Sequence, residues 1–184
     1  PIMKNFFLVL FLLTLYSNSH ALGNSNIIKN FNAIENLSFK FEQNINGKIE
    51  NGQCVIEYPK KIYCNYDLKN KKVLVSNGRS LVIKTLNSYY IYPIEKTPLN
   101  LILNKEFLLD KIKDLNEKFI KKEFINYKIT HNENEINLFF DKKTYDLIGW
   151  QTLDIYQNSS TTFLSSIKKN QKIKKNLFRL PSQN

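Results

Sequence analysis

Side chains able to act as nucleophiles, general bases or metal ligands are sparse in this chain. Its 184 residues include two Cys and two His, and His20 falls in an N-terminal segment that we expect to be removed. A Ser-His-Asp or Cys-His site would therefore need His131, which lies in a polar stretch typical of a solvated strand end. A zinc site would need more Cys or His ligands than remain. These residue types therefore give no indication of nucleophilic or metal-dependent catalysis.

Glycines and carboxylates likewise form no catalytic pattern. The five Gly are solitary, so the sequence has no glycine-rich loop that could cradle phosphate. Carboxylates occur singly amid an excess of Lys, among them Asp110, Asp114, Glu117, Asp141, Asp146 and Asp154. A pair of the glycosidase type stays open, because its members are distant in the chain, but nothing in the sequence points to one. We expect a binding protein without a cofactor or metal, not an enzyme.

The two cysteines are placed symmetrically about a proline. If residues 58–60 form a three-residue turn, Cys54 lies directly across a hairpin from Cys64, and Ile56 faces Ile62 on the same side. A disulfide can join two strands at a non-hydrogen-bonded pair, where their Cα atoms approach most closely. We favour this disulfide over free thiols.

The first residues have the layout of a secretory signal peptide. Met3-Lys4 is a short basic start, Phe6–Leu13 is an unbroken apolar run, and residues 17–21 are polar, with small residues at −3 and −1 of a cleavage after Ala21. Even extended to Tyr16, the apolar run is too short to cross a hydrocarbon core of ~30 Å. We expect residues 1–21 to be a cleaved signal peptide and residues 22–184 to form one exported domain. No Cys lies near the junction, so a lipid anchor there is not expected.

The charge balance argues against nucleic acid as a partner. Lys+Arg number 27 against Asp+Glu 16, a formal net charge of +11, but Arg occurs only at Arg79 and Arg179. Proteins that bind nucleic acid favour Arg for bidentate contacts, and export removes the usual ligand. Weak electrostatic adsorption to anionic membrane surfaces stays open, because scattered lysines suffice for it.

Alternating hydrophobicity predicts an antiparallel sheet. Residues 38–92 form a continuous meander, in which Asn77-Gly78 is the strongest hairpin signal and predicts a register that pairs Leu74 with Leu81. Further strands are expected at roughly 121–131, 134–140, 145–156, 159–168 and 176–180.

Three segments have the signature of helices. Apolar residues from Ile27 to Leu37 keep helical spacing, with Ser25 as N-cap. Thr97-Pro98 predicts a second helix, with Thr as N-cap and Pro at the first helical position. A third helix is expected over 105–119. We therefore expect one α+β domain, in which helices cover the concave face of a strongly curved antiparallel sheet.

Short motifs follow one another along the chain in an informative order. They are Phe39–Gln43 (FKFEQ), Gly52 with Tyr58-Pro59 and Tyr66, Val73–Leu81 (VLVSNGRSL), Thr97-Pro98-Leu99 with Leu101–Leu103, Phe140-Asp141, Leu147, Trp150, Asp154, Thr161-Thr162 and Leu177–Pro181. In this order and spacing they resemble the periplasmic outer-membrane lipoprotein carrier family, LolA, over nearly all of the mature chain.

The resemblance implies both a fold and a function. The fold would be an incomplete, strongly curved antiparallel β-barrel closed by a lid of helices over a hydrophobic cavity for lipoprotein acyl chains. The function would be that of a periplasmic chaperone. It would accept lipoproteins from an ATP-driven releasing complex of the inner membrane and pass them to an outer-membrane lipoprotein receptor. That receptor is itself a lipoprotein, so the missing lipid-attachment Cys favours the carrier, which we expect to be a monomer.

The resemblance also assigns roles to residues. The lid residues would be Leu99, Leu101, Ile102 and Leu103. The candidates for the acyl cavity are Phe39, Phe41, Ile56, Ile62, Leu74, Leu81, Ile83, Phe139 and Trp150, each of which could equally be ordinary core. Carriers commonly have Arg before the hairpin proline, where it bonds to the lid. Here the position is Tyr58, so the latch is expected to be weaker or built differently, and the Cys54–Cys64 pair would stiffen the hairpin in compensation.

Two alternatives to the carrier follow from the same residues. One is a related exported lipid-binding or envelope-stress-sensing protein on the same fold, which binds acyl groups without delivering them. The other is a secreted hydrolase, which would need His131 or a carboxylate pair inside the cavity.

Overall fold

The computed structural model describes residues 19–115, 118–120, 123–132, 134–153 and 158–183. The strands are β1 (Asn36–Ile45), β2 (Lys48–Glu57), β3 (Lys61–Tyr66), β4 (Val73–Asn77), β5 (Ser80–Lys84), β6 (Tyr89–Pro93), β7 (Lys118–Ile120), β8 (Phe124–His131), β9 (Asn134–Asp141), β10 (Leu147–Leu153) and β11 (Ser159–Lys169). The helices are α1 (Ser19–Asn32), α2 (Leu99–Ile102) and α3 (Lys105–Asp114), and a 3₁₀ helix, Ile94–Lys96, precedes α2. None of the described helices has the length and hydropathy needed to span a bilayer.

The strands form one antiparallel sheet in the order β6-β5-β4-β3-β2-β1-β11-β10-β9-β8-β7. The meander from β1 to β6 is confirmed. After the helices the chain enters the opposite edge strand, β7, and a second run of antiparallel strands leads from β7 to β11, which pairs with β1. The two edge strands of the described sheet, β6 and β7, do not pair with each other, so the barrel is incomplete. This confirms the expected open, curved antiparallel sheet with helices.

The core lies between the helices and one face of the sheet, which we call the inner face. Along β1, Leu37, Phe39 and Phe41 are buried while the residues between them are more exposed, as the two-residue period of a strand requires. Ile27 and Phe31 of α1 join the same apolar cluster. The sheet therefore presents one apolar surface to all three helices.

The hairpin at Asn77-Gly78 exists, but its predicted register is wrong. Leu74 pairs with Ile83, and Leu81 pairs with Ser76. The reason is that Gly78, at φ +96°, takes the first central position of the turn, whereas Asn77 flanks it and accepts hydrogen bonds from two backbone N–H groups. The register is displaced by two residues, so every side chain keeps its face.

The helix boundaries also differ from those expected. The first helix begins before Ser25, which therefore does not cap it, and ends at Asn32. Of the apolar residues in the predicted helix, Ile34 lies in the connection to β1 and Leu37 lies in β1 itself. The hydroxyl of Thr97 donates to the carbonyl of Ile94 instead of accepting from helix α2. The third helix is capped by Asn104 and ends at Asp114 instead of residue 119.

The expected strand 176–180 is wrong. Residues 170–183 instead cross the outer face of the sheet: Leu177 lines a cleft over β1, β2 and β3, and the Pro181 carbonyl accepts from the hydroxyl of Tyr89. We call residues 170–183 the C-terminal strap. Several expected features lie outside the described residues: positions 1–18 of the signal peptide, positions 154–156 of the strand 145–156, and the carboxylates Glu117 and Asp154.

Candidate functional site

A cavity of about 170 Å³ lies between the inner face and helix α2. Its wall is apolar over most of its extent and polar at one end. The lining residues are Phe41, Gln43, Cys54, Ile62, Cys64, Tyr66, Leu74, Pro98, Leu99, Ile102, Trp150, Thr152, Ser160 and Thr162. A larger cleft of about 370 Å³ lies on the outer face, beside the C-terminal strap, and no helix residue lines it. The cavity under α2 is therefore where the apolar inner face meets the expected lid.

The cavity brings together some of the residues predicted from the sequence. Four sheet residues and two lid residues line it: Phe41, Ile62, Leu74, Trp150, Leu99 and Ile102. Others pack in the core around it without lining it, namely Phe39, Ile56, Leu81, Ile83, Leu101 and Leu103. Core and cavity thus share one continuous apolar surface. The alternation of apolar residues in the sequence therefore does not distinguish residues that line the cavity from residues packed in the core.

Phe139 does not face this space. Its neighbours Leu138 and Phe140 belong to the core on the inner face, so the alternation of the strand directs Phe139 to the outer face. There its ring stacks on that of Phe163 at 5.5 Å between centroids. Gly149 allows this close approach, because a Cβ there would lie 3.2 Å from the Phe139 ring. Leu138, Phe139 and Phe140 are all buried, so burial did not show which of the three faces inward, and the prediction chose the one that faces outward.

The disulfide forms part of the cavity wall. Cys54 pairs directly with Cys64 across β2 and β3, with 4.1 Å between their Cα atoms, and the two are bonded. Ile56 pairs with Ile62 as expected. The predicted hairpin and its cross-link are therefore confirmed, and both cysteines line the cavity beside Ile62.

The polar end of the cavity is built around Gln43. Its amide nitrogen donates to the hydroxyls of Ser160 and Thr162, at 3.2 Å in each case. The amide oxygen accepts from the Tyr66 hydroxyl at 3.3 Å. Thr152 lines the cavity at the same end and lies opposite Ser160 in the sheet. These side chains share the inner face with the apolar residues because each lies an even number of positions from one along its strand.

A buried ion pair lies beside this polar end. Glu50, which pairs with Gln43 in the sheet and is 4% exposed, contacts the Lys72 Nζ at 2.6 Å and the Lys48 Nζ at 2.9 Å. Burial alone would raise the pKa of the Glu50 carboxyl, but the hydrogen bonds and charges of Lys72 and Lys48 together hold it below its usual value. Burial, and secondarily the Glu50 charge, raises the pKa of the Tyr66 hydroxyl. Lys72 also lies 4.1 Å from the Tyr66 ring centroid.

A backbone hydrogen bond joins the cysteine hairpin to the expected lid. The Lys60 N–H donates to the Leu103 carbonyl, just after α2, at 2.9 Å. The hydroxyl of Tyr58 is buried and has no hydrogen-bond partner among the described residues, and burial strongly raises its pKa. Its ring packs edge-on against Phe31 at 5.7 Å. Tyr58 therefore contributes packing at the expected latch position, not a hydrogen bond to the lid.

Neither His131 nor the carboxylates form a catalytic constellation among the described residues. His131 is half-buried at the end of β8, edge-on to Phe107 at 5.1 Å and next to Asn132. Asp141 accepts from two backbone N–H groups of its own turn, which lower its pKa despite partial burial, and Asp146 pairs with Lys169. Within the described ranges, no three His, Cys, Asp or Glu side chains are grouped as metal ligands.

The polar end of the cavity was not predicted from the sequence. The sequence singles out Gln43 only as part of the Phe39–Gln43 motif. Thr152, Ser160 and Thr162 are not among the expected site residues. A usable signal is present, because Gln43 lies on the same face of β1 as Phe39 and Phe41. A polar side chain among buried apolar ones indicates neighbouring polar groups that satisfy its hydrogen bonds.

Comparison with known proteins agrees with this architecture. The family model described as outer membrane lipoprotein carrier protein LolA matches residues 32–181. No curated protein matches the sequence. An uncharacterised conserved protein from Thermus thermophilus is 8% identical with a TM-score of 0.51, over 89% of this chain and 95% of that chain. MucB is 9% identical with a TM-score of 0.50, over 91% of this chain and 64% of that chain. LprF from Mycobacterium bovis is 13% identical with a TM-score of 0.49, over 86% and 97% of the two chains.

An open antiparallel sheet whose apolar inner face is covered by short helices defines a class of protein suited to holding an apolar ligand away from water. Because the family model spans most of the chain, the protein belongs to the LolA family of outer membrane lipoprotein carrier proteins. Proteins of this family bind lipoprotein acyl chains and act in the cell envelope.

Proposed function

We propose that this protein is a periplasmic chaperone that carries lipoproteins from the inner to the outer membrane with their acyl chains in the cavity under α2. The supporting observation is the cavity itself, which is walled by Phe41, Ile62, Leu74 and Trp150 and covered by Leu99. Exposing an acyl chain to water costs about 0.8 kcal/mol per CH₂. Passage through the periplasm therefore requires an apolar enclosure of this kind.

Release requires that the enclosure should open, and α2 is suited to that role. It has only four residues, too few to be stable as an isolated helix. Its position therefore depends on tertiary contacts, chiefly the burial of Ile102 and Leu103 and the backbone hydrogen bond from Lys60. An incoming acyl chain can replace part of the apolar contact that α2 loses when it moves.

The carrier role implies two protein partners. One is the ATP-driven lipoprotein-releasing complex of the inner membrane, and the other is an outer-membrane lipoprotein receptor. In this proposal residues 1–21 direct export, and the mature protein acts in the periplasm as a monomer without a cofactor.

The test uses spheroplasts in which a labelled, outer-membrane-destined lipoprotein is held in the inner membrane. We expect the purified protein to release it as a soluble one-to-one complex in an ATP-dependent manner. Leu99→Asp, which places a carboxylate in the cavity wall, should abolish release. The matched control is Leu86→Asp, because Leu86 is 63% exposed in the β5–β6 turn and does not line the cavity.

Each outcome has a defined meaning, provided that both variants unfold at the temperature of the wild type. Equal release by Leu99→Asp and Leu86→Asp would overturn the assignment of the cavity. Acyl binding without any release, with an established carrier active in parallel, would replace the carrier by the related lipid-binding protein on the same fold.

A further inference from the structure

The polar end of the cavity carries hydrogen-bond donors with no acceptor among the described residues. Ser160 and Thr162 each accept one hydrogen from the Gln43 amide, so each hydroxyl still has its own proton to donate. In the described part of the chain neither proton is given to a protein acceptor, and Thr152 has no side-chain hydrogen bond there. Three hydroxyl donors thus line one end of an otherwise apolar space.

Gln43 fixes the direction in which these donors point. In the structure its oxygen accepts from Tyr66, and its amide nitrogen faces the two hydroxyls and occupies one lone pair on each. Thr162 is almost wholly buried, at 3% exposed, where leaving a donor unsatisfied is costly. Gln43 is therefore a positioning residue, and the hydroxyl protons are left for a ligand.

Resting on the proposed function, we infer that Thr152, Ser160 and Thr162 bind the carbonyl oxygen of an ester- or amide-linked acyl group. The hydrocarbon tail then lies along Phe41, Leu74 and the other apolar walls. The ligand class is a neutral acyl ester or amide, as distinct from a plain hydrocarbon or a free fatty acid.

The charges nearby favour a neutral carbonyl over a carboxylate. Lys72 and Lys48 both contact Glu50, and in the described structure no charged side chain lines the cavity. A carboxylate brought to the hydroxyls would lose its hydration without gaining a cation in the cavity wall. A carbonyl oxygen accepts the same hydrogen bonds at a much smaller cost of desolvation.

The test compares two ligands that differ only in the carbonyl, 1-decanoylglycerol and 1-O-decylglycerol. The protein has a single Trp, and Trp150 lines the cavity, so its fluorescence reports binding of both. We expect the wild-type protein to bind the ester about five- to tenfold more tightly than the ether, as one or two hydrogen bonds allow. Decanoic acid at pH 7.5 should bind more weakly than the ester.

Two variants assign the preference to the hydroxyls. Thr152→Val and Thr162→Val should each lower the ratio of ester to ether affinity while the ether affinity stays within about twofold. Thr152→Val leaves the Gln43 contacts intact, so it remains informative if Thr162→Val is destabilised. The matched control is Thr161→Val, because Thr161 is the adjacent residue of β11 and contacts Gln151 away from the cavity.

The outcomes separate the inference from the proposed function. Equal binding of ester and ether by the wild-type protein would overturn the carbonyl site and leave the acyl cavity intact. A ratio unchanged in both Thr152→Val and Thr162→Val, or tighter binding of decanoic acid than of the ester, would also overturn it. Binding of none of the three ligands would refute acyl binding itself.

Discussion

Reduction of the Cys54–Cys64 disulfide should lower stability by an amount that the hairpin determines. The two cysteines are separated by ten positions, and the chain-entropy relation for a closed loop of that length gives about 2.7 kcal/mol at 25 °C. The disulfide stabilises by restricting the unfolded chain. In the folded protein the strand pairs from Glu57–Lys61 to Gly52–Tyr66 already hold the hairpin together. We therefore expect reduction to lower the free energy of unfolding without changing the fold.

The assay is thermal unfolding followed by far-ultraviolet circular dichroism, with and without a phosphine reductant. For a domain of this size, 1 kcal/mol corresponds to a change in Tm of about 2–4 °C. A loss of about 2.7 kcal/mol therefore predicts a fall in Tm of about 5–11 °C. A double variant, Cys54→Ala with Cys64→Ala, should unfold at least as early as the reduced protein, because it also removes two sulfur atoms from the cavity wall.

The same variant is the control for the reductant, which should leave its Tm unchanged. A shift of less than about 2 °C in the wild-type protein would refute the reasoning, because a restrained loop of ten residues cannot contribute so little by chain entropy. Such a result would mean that the hairpin persists in the unfolded chain, so that the cross-link removes little conformational freedom.

Three further substitutions test single contacts. Asn104→Ala removes the cap of α3 and should cost about 1 kcal/mol in urea unfolding; a change below about 0.3 kcal/mol would contradict the capping role. Lys72→Met removes the shorter of the two contacts to Glu50. The pKa of the Glu50 carboxyl is lowered in the folded protein, so its ion pair stabilises the fold above the pKa of the unfolded chain, and this stabilisation is lost as pH falls. The variant's loss in free energy of unfolding should therefore be largest near pH 7 and shrink below about pH 4. Gly52→Ala would place a Cβ 2.2 Å from the Asn65 carbonyl and should cost at least about 2 kcal/mol, because a backbone atom must move; a variant as stable as the wild type would show that the strands separate easily.

The sheet was predictable because its strands have a buried face. The two-residue period alone places Phe39 and Phe41 on one face, and the symmetry of the cysteines about the proline locates the hairpin register. The register predicted at Asn77-Gly78 was wrong for a local reason. Both Asn and Gly accept left-handed backbone, so the dipeptide alone does not show whether Asn is central in the turn or flanks it.

The ends of the helices and the last segment depended on tertiary contacts that the sequence does not contain. The apolar residues after Asp114 satisfy helical spacing, yet Phe119 pairs with Ile125 between β7 and β8, so sheet pairing outweighs helix propensity there. Leu177 lies in a segment with the pattern of a strand. However, this segment adds to neither edge strand of the described sheet, β6 or β7, and lies across the outer face instead.

The cavity was only partly predictable, because the two-residue alternation of a strand shows which side chains face the core but not where the core leaves a space. Leu74 and Trp150 line the space, whereas Ile56 and Leu81 occupy equivalent inner-face positions and are packed as core. The polar end was missed because Thr and Ser in a strand indicate β propensity first, and only the contact with Gln43 distinguishes Thr162 from an ordinary strand residue.

In the proposed carrier, holding and releasing an acyl chain make opposite demands, which would fall on different elements of the fold. The cavity floor is a continuous sheet, cross-linked at Cys54–Cys64, and cannot rearrange without breaking strand pairs. The cover is a four-residue helix bound to that floor through apolar packing and the Lys60–Leu103 hydrogen bond. A backbone hydrogen bond contributes about 1 kcal/mol net, so the latch is weak compared with the strand pairing beneath it. The Tyr58 hydroxyl has no hydrogen-bond partner among the described residues, at the position where the latch was expected to be weaker or built differently. If α2 is the lid of the proposed carrier, it is retained mainly by apolar contact, which an acyl chain would itself replace.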